Sequence, residues 1–556
     1  MADSSYVPAA PARGKGLPLL AVAALGAALG CTQIAALDLP LAIANGSRVL
    51  GGAPVPRTND WVWPFPGYPC VHDKWGFDLL VAATDRAFGT AGLQSLQIAF
   101  GAALAALLFA LARRETTPWR AAGLAALGVT MTSFRLFLRA EWISYLGAGA
   151  ALWLLPGIVA KRRAHEIAFL AMVPVWAACH LYWFLGPIVV LVAAAAVRSA
   201  RTALVGAAGV LAAAVSPFGF ENVLHPARVT LQLEGTELRS ALVEMRNPFA
   251  TDTPWSFFHV LALVLALWGA AAVVAFVRAK RWRDAVLVLV WLALSLPIER
   301  NIAMLGIVVP LLAAAPLGAF VAQAAPWTGL AGPVAAACVA FGVPSFLAGR
   351  LPGFGWEDDM FPRALVAKLP ESSRRERYVN DFSIGSFLDA ARGGSFIDGN
   401  THGYPPDFYA LYLRARTGDV TVAEIDARWP NDGWMLRHNR NTTRDFVLGL
   451  FLDGDYAPVA WDGVATLFQK TSAPEEADAA WRRWLAEAYL PAARDWYPDD
   501  ATVAAAAGAG PGAAQRAVVM NPWSPKRYLE LAHEYERAGD GVRAGRCLRW
   551  ASRLPQ

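Results

Sequence analysis

Long apolar runs separated by short polar, basic breaks dominate the first 350 positions of the chain, and the pattern then changes. Apolar segments fall at about 16–37, 91–112, 119–134, 141–160, 166–180, 182–197, 202–215, 256–277, 284–296, 301–323 and 327–347. Runs approaching 18 or more residues have the length needed to cross a hydrocarbon core of roughly 30 Å. The pattern therefore predicts a polytopic α-helical membrane protein of about eleven spans. After Arg350 short apolar runs (Ser395-Phe396-Ile397, Phe446 to Phe451, Val464 to Phe468) alternate with helical stretches and Gly/Asp turns. This predicts a soluble α/β domain over 350–472. From 473 to 556 the pattern is helical, and Pro522 to Leu554 carries the small and aromatic spacing of a tetratricopeptide helix pair. A single such repeat cannot cover its own apolar face, so it must pack on a neighbouring helix or a partner.

The basic breaks orient these spans. Clusters at Arg13/Lys15, Arg113/Arg114/Arg120, Lys161/Arg162/Arg163, Arg198/Arg201 and Arg278/Lys280/Arg281/Arg283 alternate with the apolar runs. With eleven spans every one of them lies on the cytoplasmic side, as the positive-inside rule requires. The N-terminus is then inside, and the loops 38–90 and 216–255, with everything after Arg350, are outside. This is the arrangement of a multi-pass protein of a bacterial inner membrane with an extracytoplasmic C-terminal domain. Arg135, Arg139 and the pair Glu299/Arg300 break the rule on the outer face. Residues 1–349 thus form a membrane domain whose first outer loop, 38–90, is long, Pro-, Gly- and Trp-rich, and predicted to be structured.

Composition agrees. The 556 residues are 56% hydrophobic and 17% charged, with mean hydropathy +0.36. The 22 Trp suit membrane interfaces. The formal net charge of +5 comes largely from the short basic breaks, so it marks orientation and not a nucleic-acid footprint. Cys31, Cys70, Cys179, Cys338 and Cys547 lie far apart without a CxxC spacing, which argues against a disulfide framework or a cysteine metal site. Residues 1–15 end in Arg13 and Lys15 as a signal peptide would, and Ala28-Leu29-Gly30-Cys31 approximates a lipoprotein cleavage box. The apolar run, however, continues to Leu37, which predicts a retained first helix.

Candidate chemistry gathers on the outer face. Asp38 follows the first apolar run directly. There a carboxylate does nothing for a helix C-terminus, and a desolvated carboxylate can take a proton from a hydroxyl nucleophile. His72, Asp73 and Lys74 stand close behind it as candidate pocket residues, while Asp78 reads as solvent-facing on an amphipathic segment, Phe77 to Phe88. Arg135, Arg139 and Arg300 are candidates for phosphate, because a guanidinium donates two parallel charge-assisted bonds. Glu299 is expected to orient or neutralise Arg300. His180, beside Tyr182 and Trp183, reads as an interfacial anchor. Glu221, His225 and Glu244 fit no compact metal motif, and Asp398-Gly399-Asn400 reads as a strand end and turn.

Several of these pieces resemble one family. Asp38, Gly46/Gly52, Pro54/Pro56, Pro66-Gly67-Tyr68 and Lys74-Trp75 look like the first outer loop of the GT-C superfamily of membrane glycosyltransferases, and in particular of a large bacterial group within it. Agreement extends to Trp176 to Gly186, Ser216-Pro217-Phe218-Gly219, Arg300-Asn301, Asn380 to Leu388 and Phe396 to Asn400. The resemblance covers most of the chain up to about Lys470. It implies a GT-C-like membrane body that transfers a sugar from a polyprenyl-phosphate donor, held at the membrane, to an extracytoplasmic acceptor. In the superfamily an acid of the first outer loop is the catalytic base or a metal ligand. That role falls on Asp38, which leaves a divalent metal open as a cofactor. Where characterised enzymes carry paired acids, Leu39 follows Asp38 here. A second class of function is a non-catalytic scaffold that docks cell-envelope or surface-assembly partners through the α/β domain and tail. A secondary transporter would show an inverted repeat, and none is visible.

Overall fold

The computed structural model describes residues 16–233, 243–250, 255–312, 353–371, 376–453, 455–493, 495–497, 500–508 and 512–555. The expected span 327–347, the second half of 301–323 and the basic pair Arg13/Lys15 lie outside them. The chain divides into two units. One comprises Met1–Ala36, Asn45–Val55 and Val71–Trp356; the other comprises Leu37–Ala44, Pro56–Cys70 and Glu357–Gln556.

The first unit is helical. Among the described residues three helices have the length and composition to cross a membrane: Trp75–Ala112, Glu141–Val159 and Phe257–Arg278. Shorter apolar stretches are Gly16–Gly30, Leu181–Val197 and Ala200–Ala212. Between them run Pro118–Ser133, Arg163–Cys179, Trp282–Ser295 and Leu305–Leu312. Pro118 opens its helix where a missing N–H costs nothing. Gly16–Gly30 is apolar all round, so its faces must meet other helices or lipid. It crosses Trp75–Ala112 at Gly26 and Gly101, and a Cβ on Gly26 would come within 2.2 Å of the Gly101 carbonyl oxygen. Close backbone approach through small residues is the usual way apolar helices pack without a hydrophobic driving force.

Two expectations for this unit change. The first helix ends at Gly30 and not at Leu37. The buried Gln97 amide donates to Gly30 O (2.8 Å) and Thr32 O (3.0 Å), and Gln94 donates to Thr32 O (3.0 Å). These bonds satisfy carbonyls that a continuing helix would have used. Ile34 N–H then donates to Gly355 O at 2.8 Å. Second, the amphipathic stretch after Phe77 and the apolar run from Ala91 follow one another without a loop within Trp75–Ala112, as two helices that meet at the non-helical Gly89 (φ 57°, ψ −150°). Only glycine adopts that backbone freely.

The second unit holds a four-stranded mixed sheet in the order β3–β4–β6–β5, built from β3 (Tyr378–Asn380), β4 (Gly433–Arg437), β5 (Tyr456–Trp461) and β6 (Ala465–Lys470). The parallel pair β3/β4 needs a long crossover, and helices Phe382–Arg392, Pro406–Arg416 and Val422–Arg428 supply it. Asp381 caps the first of these by accepting from Ser383 N (3.0 Å). Pro458, which cannot donate to a ladder, sits in the edge strand β5 next to its irregularity. A two-residue hairpin from the first loop, β1 (Thr58–Asn59) and β2 (Tyr68–Pro69), belongs to this unit and not to the membrane-side body where the sequence pattern placed all of 38–90. Its aromatics explain why. Trp63 lies 5.4 Å from Phe396, and Phe65 lies 4.9 Å from Phe408 and 6.4 Å from Trp429 (ring centroids). Trp63 N–H and Ser395 N–H donate to Ser395 O and Trp61 O.

The C-terminal helices fold back on the same unit. Trp481 and Trp484 of Pro474–Trp484 donate to Tyr456 O and Thr466 Oγ1, each at 2.8 Å. The fully buried Arg553 of Gly541–Arg553 donates to Asp478 Oδ1 (2.6 Å) and Phe451 O (2.5 Å). The last helix pair thus finds its packing partner within the chain.

Candidate functional site

In the first unit a cluster of charges forms where four segments meet. Residues 134–140 turn the chain between Pro118–Ser133 and Glu141–Val159 and carry Arg135 and Arg139. Arg135 is buried and grips Glu141 with both faces of its fork: Nε donates to Oε2 (3.1 Å) and Nη2 to Oε1 (2.8 Å). The same Nη2 reaches Glu244 Oε2 at 2.8 Å, and Arg139 Nη1 reaches Glu244 Oε1 at 3.4 Å. Arg300, at the opening of the turn Glu299–Met304, approaches Glu141 Oε1 at 3.4 Å and lies 5.2 Å from the Tyr182 ring centroid. Its buried Nε has no hydrogen-bond partner among the described residues. Tyr182 OH donates to Asn301 Oδ1 at 2.9 Å. Three guanidiniums against two carboxylates leave one net positive charge. Burial alone would push the Glu244 carboxyl up, but Arg139 and Arg135 outweigh it and hold it at about 2.

Glu299 does not serve Arg300. It accepts from His259 Nε2 at 3.0 Å, while Ser256 Oγ meets His259 Nδ1 at 2.8 Å. Successive residues of a helical turn point in different directions, so Arg300 faces Glu141 and its neighbour faces His259.

A second group borders this one. His72 Nε2 donates to Asp78 Oδ2 at 2.7 Å, and both side chains are buried. Asp78 is therefore not solvent-facing: it lies in the first turn of Trp75–Ala112, where a carboxylate suits the helix N-terminus. Asp73 Oδ2 lies 3.9 Å from His225 Nε2, and Lys74 immediately precedes the same helix. Glu221 is exposed and takes no part. His180 joins the two groups. Its ring lies in the fields of Glu141, Arg300, Asp73 and Lys74. It is buried and not an interfacial anchor. Trp176 Nε1 donates to Ser144 Oγ (2.8 Å), so the Ser144 hydroxyl is left to donate to His180 Nδ1 (2.7 Å), which also accepts from Tyr182 N (3.4 Å). With Nδ1 an acceptor, the neutral ring carries its proton on Nε2. The sequence-derived residues His72, Asp73, Lys74, Arg135, Arg139 and Arg300 thus share one region of the first unit. Glu141, Ser144 and Tyr182 are members that composition and spacing did not single out. The available signal was an acid opening an apolar span six residues after an arginine, since charges in such places are usually paired.

Asp38 is found in the second unit. It precedes helix Leu39–Leu50, and its carbonyl accepts the first helical bond, from Ala42 N (3.1 Å). Because the first helix stops at Gly30, Asp38 stands at a helix N-terminus, where its charge is favourable, and not at the C-terminus that the apolar run suggests. Gly399 lies beside it: a Cβ there would be 3.9 Å from that of Asp38. The adjoining turn carries Asp398, which forms a buried pair of acids with Asp389 of helix Phe382–Arg392. Asp398 Oδ1 accepts from Asn400 N at 2.8 Å. Burial, then the Asp398 charge, holds Asp389 well above the usual carboxylate range. Among the described residues no group of three or more His, Cys, Asp or Glu is placed to hold a metal ion.

No family model and no curated protein matches the chain. Solved structures do. The apo oligosaccharyltransferase of Archaeoglobus fulgidus aligns with TM-score 0.53 and 11% identity over 82% of this chain and 74% of that one. The same organism's archaeal oligosaccharyltransferase AglB, in complex with an inhibitory peptide and a dolichol-phosphate, aligns with TM-score 0.52, 11% identity and the same coverage. ArnT from Cupriavidus metallidurans bound to undecaprenyl phosphate aligns with TM-score 0.45 and 14% identity over 84% of this chain and 99% of that one. Among the described residues the chain is mostly helical, with several helices apolar enough to cross a membrane and a small mixed sheet, and its fold is similar to that of the Archaeoglobus fulgidus oligosaccharyltransferase.

Proposed function

We propose that this protein is a GT-C-type glycosyltransferase that takes a sugar from a polyprenyl-phosphate donor at the outer face of the membrane and passes it to an extracytoplasmic acceptor. The observation that carries the reading is the cluster of the buried Arg135 with the part-buried Arg139 and Arg300, net positive against Glu141 and Glu244. Gathering three guanidiniums in a largely desolvated place is costly unless something anionic answers them. Glu244 spans Arg135 and Arg139 with its two oxygens, the geometry that a phosphate would adopt. The likeness to an oligosaccharyltransferase whose structure holds a dolichol-phosphate supports the same ligand class.

In the transfer the acceptor's nucleophilic atom bonds to the anomeric carbon as the bond from that carbon to the carrier phosphate oxygen breaks. The acceptor proton passes to a base, and the charge gained by the phosphate is met by the arginines. Arg300 and Arg135 are the phosphate ligands in this reading. His180 Nε2–H is a donor between them and the His72–Asp73–Lys74 group. Asp38 is the proposed base, from its place heading the first outer loop and from the family resemblance. The test is transfer from a polyprenyl-linked sugar with Asp38→Asn. The substitution keeps size and removes charge, and loss of a general base should slow transfer by about 10²–10⁴. Unchanged transfer in a normally inserted variant removes Asp38 from the chemistry. Absence of any transfer by the wild type favours the scaffold.

A further inference from the structure

The opposite end of the same helices carries a second concentration of arginines around a cleft. Glu141 opens its helix at the charge cluster, and Leu155 and Pro156 lie in the last turn of that helix, on the cleft wall. Fourteen residues at 1.5 Å each put about 21 Å between them, so the cleft lies well away from the charge cluster. The cleft opens where Trp75–Ala112 ends and Trp282–Ser295 begins, beside Pro310 and Leu311. Pro156 and Pro310 sit inside their helices on its walls, and a proline ring there bends the helix and frees a carbonyl. Leu111, Leu152 and Leu287 make the rest of the lining apolar.

Its rim is cationic and ordered. The Arg114 guanidinium lies 3.7 Å from the centroid of the Trp153 ring and donates to Trp153 O at 2.8 Å. Trp153 is 38% exposed, as an indole at a membrane interface would be. Asp284, itself buried, accepts from Arg281 Nε (2.7 Å) and Arg283 Nε (2.9 Å) and sets the two guanidiniums side by side. With Glu115 the lining keeps one net positive charge.

We propose that this cleft seats the headgroup of an anionic phospholipid, with phosphate on the Arg114, Arg281 and Arg283 rim and the glycerol end of the acyl chains on the leucine floor. A free phosphate would use the rim but leave the leucines unanswered, whereas a phospholipid matches both. The site is independent of the transfer chemistry at the other end, since none of its residues takes part there.

Native mass spectrometry of the full chain in detergent, with added phosphatidylglycerol or phosphatidylcholine, tests the assignment. The wild type should retain phosphatidylglycerol in preference. Arg114→Gln with Arg283→Gln should weaken retention roughly ten- to thirty-fold, about one charge contact per arginine. Leu155→Trp, which fills the cleft and keeps every charge, should weaken it as well, so the result does not hang on a charge variant that folds poorly. Millimolar inorganic phosphate should not displace the lipid. Equal retention of both lipids, retention unchanged in Leu155→Trp, or displacement by inorganic phosphate would each overturn the proposal.

Discussion

Glu141 answers Arg135 and Arg300 at once, so Glu141→Gln leaves the buried Arg135 and the part-buried Arg300 short of charge. Breaking a buried pair from one side typically costs about 3–5 kcal/mol. A clear drop in melting temperature in detergent is expected, and an unchanged one would mean that the cluster is solvated. Glu244 is different, since it stands on a loop and 40% of its side chain is exposed. Held near 2 by Arg139 and Arg135, it stays ionised at any pH where the protein works and competes with an incoming phosphate. Glu244→Gln should therefore tighten binding of a polyprenyl phosphate. Asp389 gives the pH dependence. Its folded carboxyl titrates well above its unfolded value, for burial and the Asp398 charge both oppose ionisation. The folded state then holds a proton that the unfolded chain has released, so stability is greatest below the unfolded value and declines as pH rises through the folded one. Asp389→Asn should flatten that decline in melting curves taken from pH 4 to pH 8; an unaltered slope would assign it to other groups. The arginines were legible because they break the positive-inside alternation. His180 was not, because its partner Ser144 is set by helix packing that leaves no local pattern, whereas Asp78 and Glu141 were missed although His72 and Arg135 stand only six residues before them.

Loop 56–70 shows the same limit for whole elements. Its Trp, Pro and Gly content announced structure, but nothing local said that Trp63 and Phe65 pack on Phe396, Phe408 and Trp429. Aromatic contacts more than 300 residues apart carry no periodicity. Residues 357–556 expressed alone should therefore expose that face, bind a hydrophobic dye and melt broadly. Fusing 56–70 to them should restore a single sharper transition; equal behaviour of the two would show that the hairpin contributes nothing. The helices themselves were readable from apolar length, with errors at the ends. The first stops early because Gln94 and Gln97 occupy its carbonyls. Trp75–Ala112 joins two helices directly because Gly89 turns the chain between them in a single residue.

At the scale of the molecule, the alternation of basic breaks predicts reporter fusions at Pro118 and Arg162 in the cytoplasm and at Gly418 outside it; a cytoplasmic signal at Gly418 would reverse the arrangement. A transferase-like fold was visible as a run of weak motifs in order, and the likeness to an oligosaccharyltransferase now rests on overall shape at 11% identity. The account turns on whether the arginine cluster takes a lipid-linked phosphate. Equilibrium binding of a polyprenyl phosphate to the purified full chain measures this directly, in the wild type, Arg300→Ala and Glu244→Gln. Binding should weaken by about 1.5–3 kcal/mol in Arg300→Ala, the worth of a charge-assisted contact, and strengthen in Glu244→Gln. One affinity shared by all three proteins would contradict the account.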